Sequence, residues 1–503
     1  MINITAKLLV VFLLFGSFAS VQTTTAALPA FPGAEGAGAV AVGGRGGVVC
    51  KVTNLSDSGP GSLRHCVEDV TGPRTVIFDV GGTIELETHL RFRDPYITVA
   101  GQTAPGGGIQ LRAAPGNTRG LLTINTREVI VRYLRLRKGY VGSKDSPVNI
   151  TDTDGQLVEN VIFDHVSLYW TENQNWTVYG RRWNTSPRNI TLQNSILAEP
   201  MSGRVQVHIA AADSNAALNM IGNDMHNNLL ANSQHRNPLY RAASGRFVNN
   251  IVYHATSWWS RFGPGSHIDI INNKFKRGPE APGSRAQQEI HFIEWHPEMN
   301  SADEHISTRP VSAYVAGNWG EVSGMRSDTD NWPYTRIVPG GEGINANAAP
   351  GGVTPISWRR FEPLPRVPTP ITVRHVDELE EHLLPIVGAS KRLDCEGKWV
   401  PNRDAADARV IHEYRSIGGV VGPAHEDDVG GFPQIDGGDA CVDSSGDGIP
   451  DSWVLSNGLD PADRSLGASI HESGYTFLEL YLNGMMLEVA PALPAAPASV
   501  TVN

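Results

Sequence analysis

The stretch "GRFVNNIVYH" (245–254) is preceded by "DMHNNLLAN" (224–232) and followed by "SHIDIINNKFK" (266–276). Each is a short apolar run, a polar centre and a second apolar run. Asn228, Asn250 and Asn273 recur at intervals of 22 and 23 residues, and Asn194 in "RNITLQNSILA" (188–198) reads as an earlier member. A repeat of that size is the mark of a solenoid. If each phrase is one coil, these asparagines stack, and each amide can donate to a carbonyl of the next coil and cap the turn. The repeat predicts an all-β chain folded as a right-handed parallel β-helix with an internal asparagine ladder. A β-sandwich with Asn-rich turns competes, but its strands would alternate polar and apolar residues more cleanly.

Working outward, the same phrasing begins near residue 75: "RTVIFDV", "YITVAGQ", "GLLTINT", "VIVRYLRLR" and "ENVIFDHVSLYW" are all strand-length and rich in Val, Ile, Leu and Phe. Helical periodicity is confined to "GSLRHCVEDV" (61–70) and "VDELEEHLLPIV" (376–387). Residues 300–430 are rich in Pro and Gly and are expected to close the end of the coil and wrap along its side.

The chain has 503 residues with 53 glycines, 33 prolines and a formal charge of -11. That length suits one long unit plus a small module, and that charge argues against nucleic acid as a partner. At the N-terminus, Lys7 precedes an apolar run from Leu8 to Phe15 and then small residues, the pattern of a signal peptide (1–27) cleaved between 19 and 27. The run is too short to span a bilayer. The reading is a secreted monomer with no membrane partner. Four cysteines fit that compartment, and of three possible pairings the neighbours in sequence favour Cys50 with Cys66 and Cys395 with Cys441. Sequons stand at Asn54, Asn149, Asn175, Asn184 and Asn189.

Two arginines five apart around a proline, Arg236 and Arg241 in "HRNPLYR" (235–241), form a rigid cationic hook in a net-acidic chain. Together with "FPGAEGAGAVAVGGRGG" (31–47), "VTNLSDSGPGSLRHCV" (52–67), "RTVIFDVGGTIEL" (74–86), "ITVAGQTAPGGGI" (97–109), "VIVRYLRLR" (129–137) and "VIFDHVSLYW" (161–170), this stretch resembles the pectate lyases of the parallel β-helix class. The resemblance implies β-elimination on an α-1,4-galacturonan (polygalacturonate or pectin), with Arg236 as the base, Arg241 as a substrate-binding arginine and Ca2+ as cofactor. An arginine base needs its pKa lowered by nearby positive charge and exclusion of water.

The resemblance also implies acidic metal ligands. Asp145 in "SKDSPVNI" matches one, and Glu199 in "ILAEP" matches another. At the acidic pair expected after the tryptophan of "SLYWTENQNWTVYG", however, an ungapped match places Asn173 and Gln174, with Glu172 one residue earlier. Amides weaken a calcium site. Asp164 and His165 match a family signature that reads either as groove wall or as an internal bonded pair. Trp258 and Trp259 read equally as sugar platforms or as packing.

The tail (431–503) contains "DSSGDGIPDSWVLSNGLDPADRS", where Asp443, Ser445, Asp447 and Asp451 place oxygens around Gly448 as a tight calcium loop requires. The twelfth position holds Val454, so it is not a regular EF-hand. The expected division is a β-helix domain with its wrap (28–430) and a calcium-loop module with tail (431–503). Besides pectate cleavage, two readings stay open: a lyase on methyl-esterified pectin, which the amide pair tolerates, and a non-catalytic pectin-binding β-helix.

Overall fold

Each coil turns a corner on one residue with left-handed backbone. Tyr133, His165, Asn194, Asn227, Asn249 and Asn272 have φ between 49° and 56°. Asparagine visits this region more readily than most residues because its short amide bonds locally. The next residue then points inward. In the Asn-Asn pairs the first residue makes the corner and the second enters the ladder.

The ladder runs through successive coils. Asn228 N–H donates to Asn250 Oδ1 (3.1 Å), Asn250 N–H to Asn273 Oδ1 (2.9 Å), and Asn273 N–H to Asn318 Oδ1 (2.9 Å). Asn318 N–H continues it to Asn331. The side-chain Nδ2 groups donate back to strand carbonyls, as Asn250 does to Met225. These side chains are completely buried in Asn228, Asn250 and Asn273, so their amides need this full satisfaction. Asn194 is a correction to the predicted ladder. It occupies the corner and donates to Asp164, while Ser195 takes the inward position and donates its N–H to Asn228 Oδ1.

The computed structural model describes residues 28–201, 205–212, 214–294, 310–338, 351–365 and 370–487. The proposed signal peptide lies outside them. Among the described residues, three parallel sheets stack along the coil axis as a right-handed parallel β-helix. Sheet A runs from Val48–Val52 to Ser312–Ala316, sheet B from Gly82–Leu86 to Trp319–Gly320, and sheet C from Leu90–Phe92 to Arg336–Val338. Inward residues such as Phe163, Leu168, Val178, Leu192, Ile209 and Phe247 form one continuous core.

Sheets A and B are covered outside. The glycine-rich segment at 31–47 lies on sheet A, where Gly38 N–H donates to Thr191 and a Cβ on Gly38 would collide with the Val161 carbonyl. Close backbone approach therefore explains that glycine. The tail packs lower on the same sheet, with Ile449, Trp453 and Tyr481 clustering with Ile77 and Ala100. Sheet B is covered by Leu379, Leu383, Val410, Ile411 and Tyr414, packed on Ile196, Leu229, Ile251 and Tyr253.

This arm includes the helix Ala405–Ser416, which the periodicity did not reveal. Asp404 caps it, accepting from the N–H groups of Ala406 and Asp407, and also pairs with Arg137 through two bonds of 2.8 and 2.9 Å. Asp407, wholly buried, accepts from Arg137 (2.9 Å) and Ser167 (2.6 Å). Disulfides join Cys50 to Cys66 and Cys395 to Cys441, as the spacing suggested. The sequon residue Asn175 is fully buried and bonded to Ala198 and Gln206, so its amide is closed to modification in the folded protein.

Candidate active site

Sheet C presents the chemistry. Alternation along its strands sends Ile209, Tyr240, Phe262 and Phe292 into the core and His208, Arg261 and His291 to the outer face. Pairing aligns His208, Leu239, Arg261, His291 and Arg336 in one outer column.

Arg236 stands just before the short strand Leu239–Tyr240, with left-handed backbone at φ 67°. A non-glycine residue in this region is uncommon and is held only where its surroundings over-determine it. Here they do so from both sides. The Arg236 carbonyl accepts from Val207 N–H (2.9 Å), Asn237 N–H donates to Trp259 (2.8 Å), and Arg261 N–H donates to the Pro238 carbonyl (2.8 Å). Buried Asn237 also accepts from Ser233. The hook is thus fixed between neighbouring coils.

Burial of the Arg236 guanidinium, reinforced by the positive charge of Arg241, lowers its pKa to about 10. Arg241 places Nη2 3.1 Å from His208 Nε2, and Arg261 places Nη2 3.5 Å from His235 Nδ1. Burial first, and then Arg236, Arg241 and Arg261, push the His208 imidazole well below its usual value. His235 is pushed down likewise by burial and by Arg261, Arg236 and Arg285. Both are neutral acceptors in a strongly positive neighbourhood. His208, His235 and Arg261 were absent from the sequence-derived site. The outward alternation of "VQVHIAA" and the pairing of "SRF" onto the next strand were the signals that could have found them.

Of the predicted metal ligands, Asp145 and Asn173 each stand three residues before paired strands of sheet C, and Glu199 stands at the end of a sheet B strand. Asp145 sits before the strand Val148–Thr151, 3.9 Å from Arg119. Asn173 donates its N–H to Thr171 Oγ1, and Gln174 is buried. Glu172 is spent inside the loop at 138–146: its Oε2 accepts from the N–H groups of Ser143 (2.7 Å) and Val141 (3.2 Å), and Lys138 Nζ lies at 3.4 Å. Glu199 is corrected outright as a groove ligand. It is a corner residue at the end of sheet B, completely buried, with both oxygens held by Arg409 (2.6 and 2.8 Å) and one also by Trp170 Nε1 (2.9 Å). Among the described residues no three His, Cys, Asp or Glu side chains converge as a metal site. Among the described residues the predicted site thus offers calcium Asp145 and two amides, with Glu172 and Glu199 bonded elsewhere.

Asp164 and His165 form an internal pair at the corner between sheets A and B. Asp164 is wholly buried and accepts from Arg132, Gln193 and Asn194. Burial alone would raise its carboxyl, but His165 and Arg132 hold it far below the usual range. Trp259 points into the core and donates to Ala286. Trp258 lies on the outer side, buried with Leu239, Ile293 and Val338 beneath Arg261, 5.6 Å from ring to guanidinium. Both tryptophans are packing.

In the tail loop, Asp443 accepts from Gly446, Gly448 and Ser445, and from Lys51 Nζ at 2.7 Å. Asp447 accepts from Ile449 and Gly467, while Asp451 takes both Ser444 donors. Burial and then Asp443 raise the Asp447 carboxyl; Asp79 is raised by burial and by Asp443, against Lys51. The loop's carboxylates are thus held by backbone N–H groups, Ser444 and Lys51, and Asp443, Asp447 and Asp451 do not converge as a metal site.

No family model matches the chain. A protein of Emericella nidulans named "Probable pectate lyase C" is 32% identical over 472 residues, covering 92% of this chain and 94% of its own. A protein of Aspergillus flavus with the same name is 31% identical over 472 residues, covering 92% and 95%. Among solved structures, the cedar pollen allergen jun a 1 aligns over 71% of this chain and 92% of its own at 15% identity and a TM-score of 0.48. A pectate lyase from Paenibacillus sp. 0602 aligns over 71% and 95% at 13% identity and 0.43. On the strength of the sequence relatives, which it matches almost end to end, the chain belongs to the family of the fungal proteins named probable pectate lyase C.

Proposed function

We propose that the chain cleaves α-1,4-linked galacturonan by β-elimination, with Arg236 as the base and Arg241 as a substrate-binding residue. The observation that carries this reading is the placement of Arg236 at the head of a sheet C strand, its left-handed backbone fixed between neighbouring coils and Arg241 on the same hook. Burial and the charge of Arg241 lower the Arg236 pKa to about 10, which enlarges the neutral fraction able to accept a proton. Neutral Arg236 takes the proton from C5, which the adjacent carboxylate acidifies. The C5–H electron pair becomes the C4=C5 double bond, the C4–O bond breaks, and the departing oxygen takes a proton from solvent. Charge that builds on the C6 carboxylate is met by Arg241 and its cationic neighbours, where low water content strengthens the interaction. Asn173 and Gln174 favour a second reading, in which methyl-esterified pectin is also cleaved, because a neutral ester does not need a metal to screen it.

On this reading residues 28–430 carry the groove and its arm, and residues 431–503 carry a structural module. The N-terminal apolar run and the two disulfides support secretion. Among the described residues no helix is long and apolar enough to cross a membrane.

The test is ultraviolet absorbance of unsaturated product from polygalacturonate and from methyl-esterified pectin, for wild type and Arg236→Lys. Lysine keeps the charge and loses the planar fork, so turnover is expected to collapse with an unchanged melting temperature. Wild-type turnover by Arg236→Lys would remove Arg236 from the chemistry.

A further inference from the structure

The arm covers the later strands of sheet B, but over the first strands it gives way to a hollow of about 670 Å3. Its walls include Glu85 and Arg112 from the strands Gly82–Leu86 and Ile109–Ala113, and Tyr140 from the loop that leads on to sheet C. Glu426, Asp427 and Phe432 close it from the segment after the arm helix. A cavity of this size is in the range that holds small ligands, and β-elimination at Arg236 makes no use of it.

The walls are pinned. Tyr140 N–H donates to Glu426 Oε2 (2.9 Å), and the N–H groups of Val141 and Ser143 donate to Glu172. Gly139 turns at φ 78° where a Cβ would meet the Phe432 ring. Phe432 itself lies edge-on to Trp170 and beneath the Arg112 guanidinium, both at 5.1 Å. The Tyr140 side chain stands apart from this: it is 49% exposed, with its ring 5.6 Å from that of His425. An aromatic ring on a pinned backbone stacks on a ligand at little cost in entropy.

Charge decides what kind of ligand. Glu85, Glu426 and Asp427 outnumber Arg112 and Lys138, and Lys138 is wholly buried and spent on the Ser143 carbonyl and Glu172. A uronate carboxylate would be repelled. A neutral sugar fits: its hydroxyls donate to a carboxylate and accept from a guanidinium, and the Glu85–Arg112 ion pair offers both side by side. The apolar C–H face of the same sugar ring stacks on tyrosine.

We propose that this cavity is a second carbohydrate site, outside the sheet C groove, for a neutral sugar residue. The loop that carries Tyr140 runs on to Asp145, three residues before the sheet C strand Val148–Thr151, so cavity and groove share one connection. On the β-elimination reading, on which this last step rests, the sugar is a neutral branch of the galacturonan being cleaved. A separate neutral glycan has the same chemistry.

The full chain is titrated calorimetrically with linear galacto- and arabino-oligosaccharides, and with oligogalacturonate. Saturable binding of at least one neutral oligosaccharide is expected. Tyr140→Ala is expected to weaken it about tenfold with an unchanged melting temperature, because the backbone bond to Glu426 is kept, while Tyr140→Phe stays within about threefold of wild type. Glu85→Ala is expected to weaken it as well, and oligogalacturonate affinity to be the same in all variants. Failure of both neutral oligosaccharides to bind, or wild-type binding by Tyr140→Ala, overturns the proposal. The source of the sugar is read from KM on pectin with its neutral branches and on the debranched polymer. A rise in Tyr140→Ala confined to branched pectin assigns the branch; equal KM values assign a separate glycan. Neutral-sugar binding without product from any galacturonan upholds the cavity site and sinks the lyase reading alone.

Discussion

Arg241 Nη2 lies 3.1 Å from His208 Nε2, and its backbone N–H is bonded to the Ile209 carbonyl next door. A guanidinium only donates, so the imidazole accepts through Nε2 and carries its proton on Nδ1. One strand of sheet C thus orients the cationic arm of the next, and on the proposed β-elimination His208 acts as a positioning residue.

Replacing His208 with Ala is expected to reduce kcat/KM about tenfold, mainly through KM, as one charge-assisted hydrogen bond is lost. His208→Gln keeps an acceptor and recovers part of it. Because burial and three arginines hold His208 neutral, the wild-type rate is expected to show no step near the ordinary histidine pKa of 6.5. Steady-state kinetics across pH on both variants checks this.

The pH profile reports Arg236 directly. The proposed base works deprotonated, so below its pKa the rate is expected to climb about tenfold per pH unit and to level near pH 10. Arg241→Ala removes a positive neighbour that lowers this pKa. The levelling point is therefore expected to move to higher pH, along with a weaker KM. A profile that stays in place would separate Arg241 from the electrostatics of the base.

In the tail, Asp447→Ala is expected to lower the melting temperature without loss of lyase turnover, since it removes the acceptor of the Ile449 and Gly467 N–H groups. The loop docks through Lys51 and Asp443 on sheet A, whereas Arg236 serves sheet C. Differential scanning calorimetry, alongside product release, checks the separation. Loss of activity with unchanged melting would show that the loop acts on the groove.

Beneath the arm, Arg137→Ala is expected to cost about 3–5 kcal/mol, since it leaves buried Asp407 without a cationic partner and Asp404 with Arg135 alone. Burial alone would raise the Asp404 carboxyl, but Arg137 and Arg135 overcome it and hold it well below the usual range. A carboxyl depressed on folding stabilises above its unfolded pKa, near 4, and that stability is lost as pH falls toward the folded value. In Arg137→Ala acid unfolding therefore begins at a higher pH than in wild type. Urea melts at a series of pH values measure both effects.

The coil and its ladder were legible because the Asn-Asn pairs serve two geometric needs at adjacent positions. Where a corner is made by Asn194 and the interior by Ser195, the same reading slipped by one residue. The arm helix Ala405–Ser416 escaped because its buried face includes Asp407, whose partner Arg137 lies 270 residues away and cannot be paired by local pattern. Arg236 and Arg241 were proposed through resemblance and spacing. Glu199 was misassigned because a motif gives position along the chain, while the direction of a corner side chain depends on the neighbouring coil and on Arg409. His208, His235 and Arg261 gather only once three coils are stacked.

Residues late in the described chain touch residues of its early coils. Glu479 pairs with Arg45 at 2.8 Å, Asp443 with Lys51 at 2.7 Å, and Asn483 accepts from Arg132 at 2.8 Å. A solenoid can stack coil by coil as it is made, but this one cannot close its outer walls until synthesis is nearly complete. A nascent chain ending before residue 375 would bare Ile77 and Ala100 on one wall and Ile196, Leu229 and Ile251 on another, apolar faces of the kind that drive association. Premature termination or clipping near the C-terminus therefore threatens solubility before it threatens the groove.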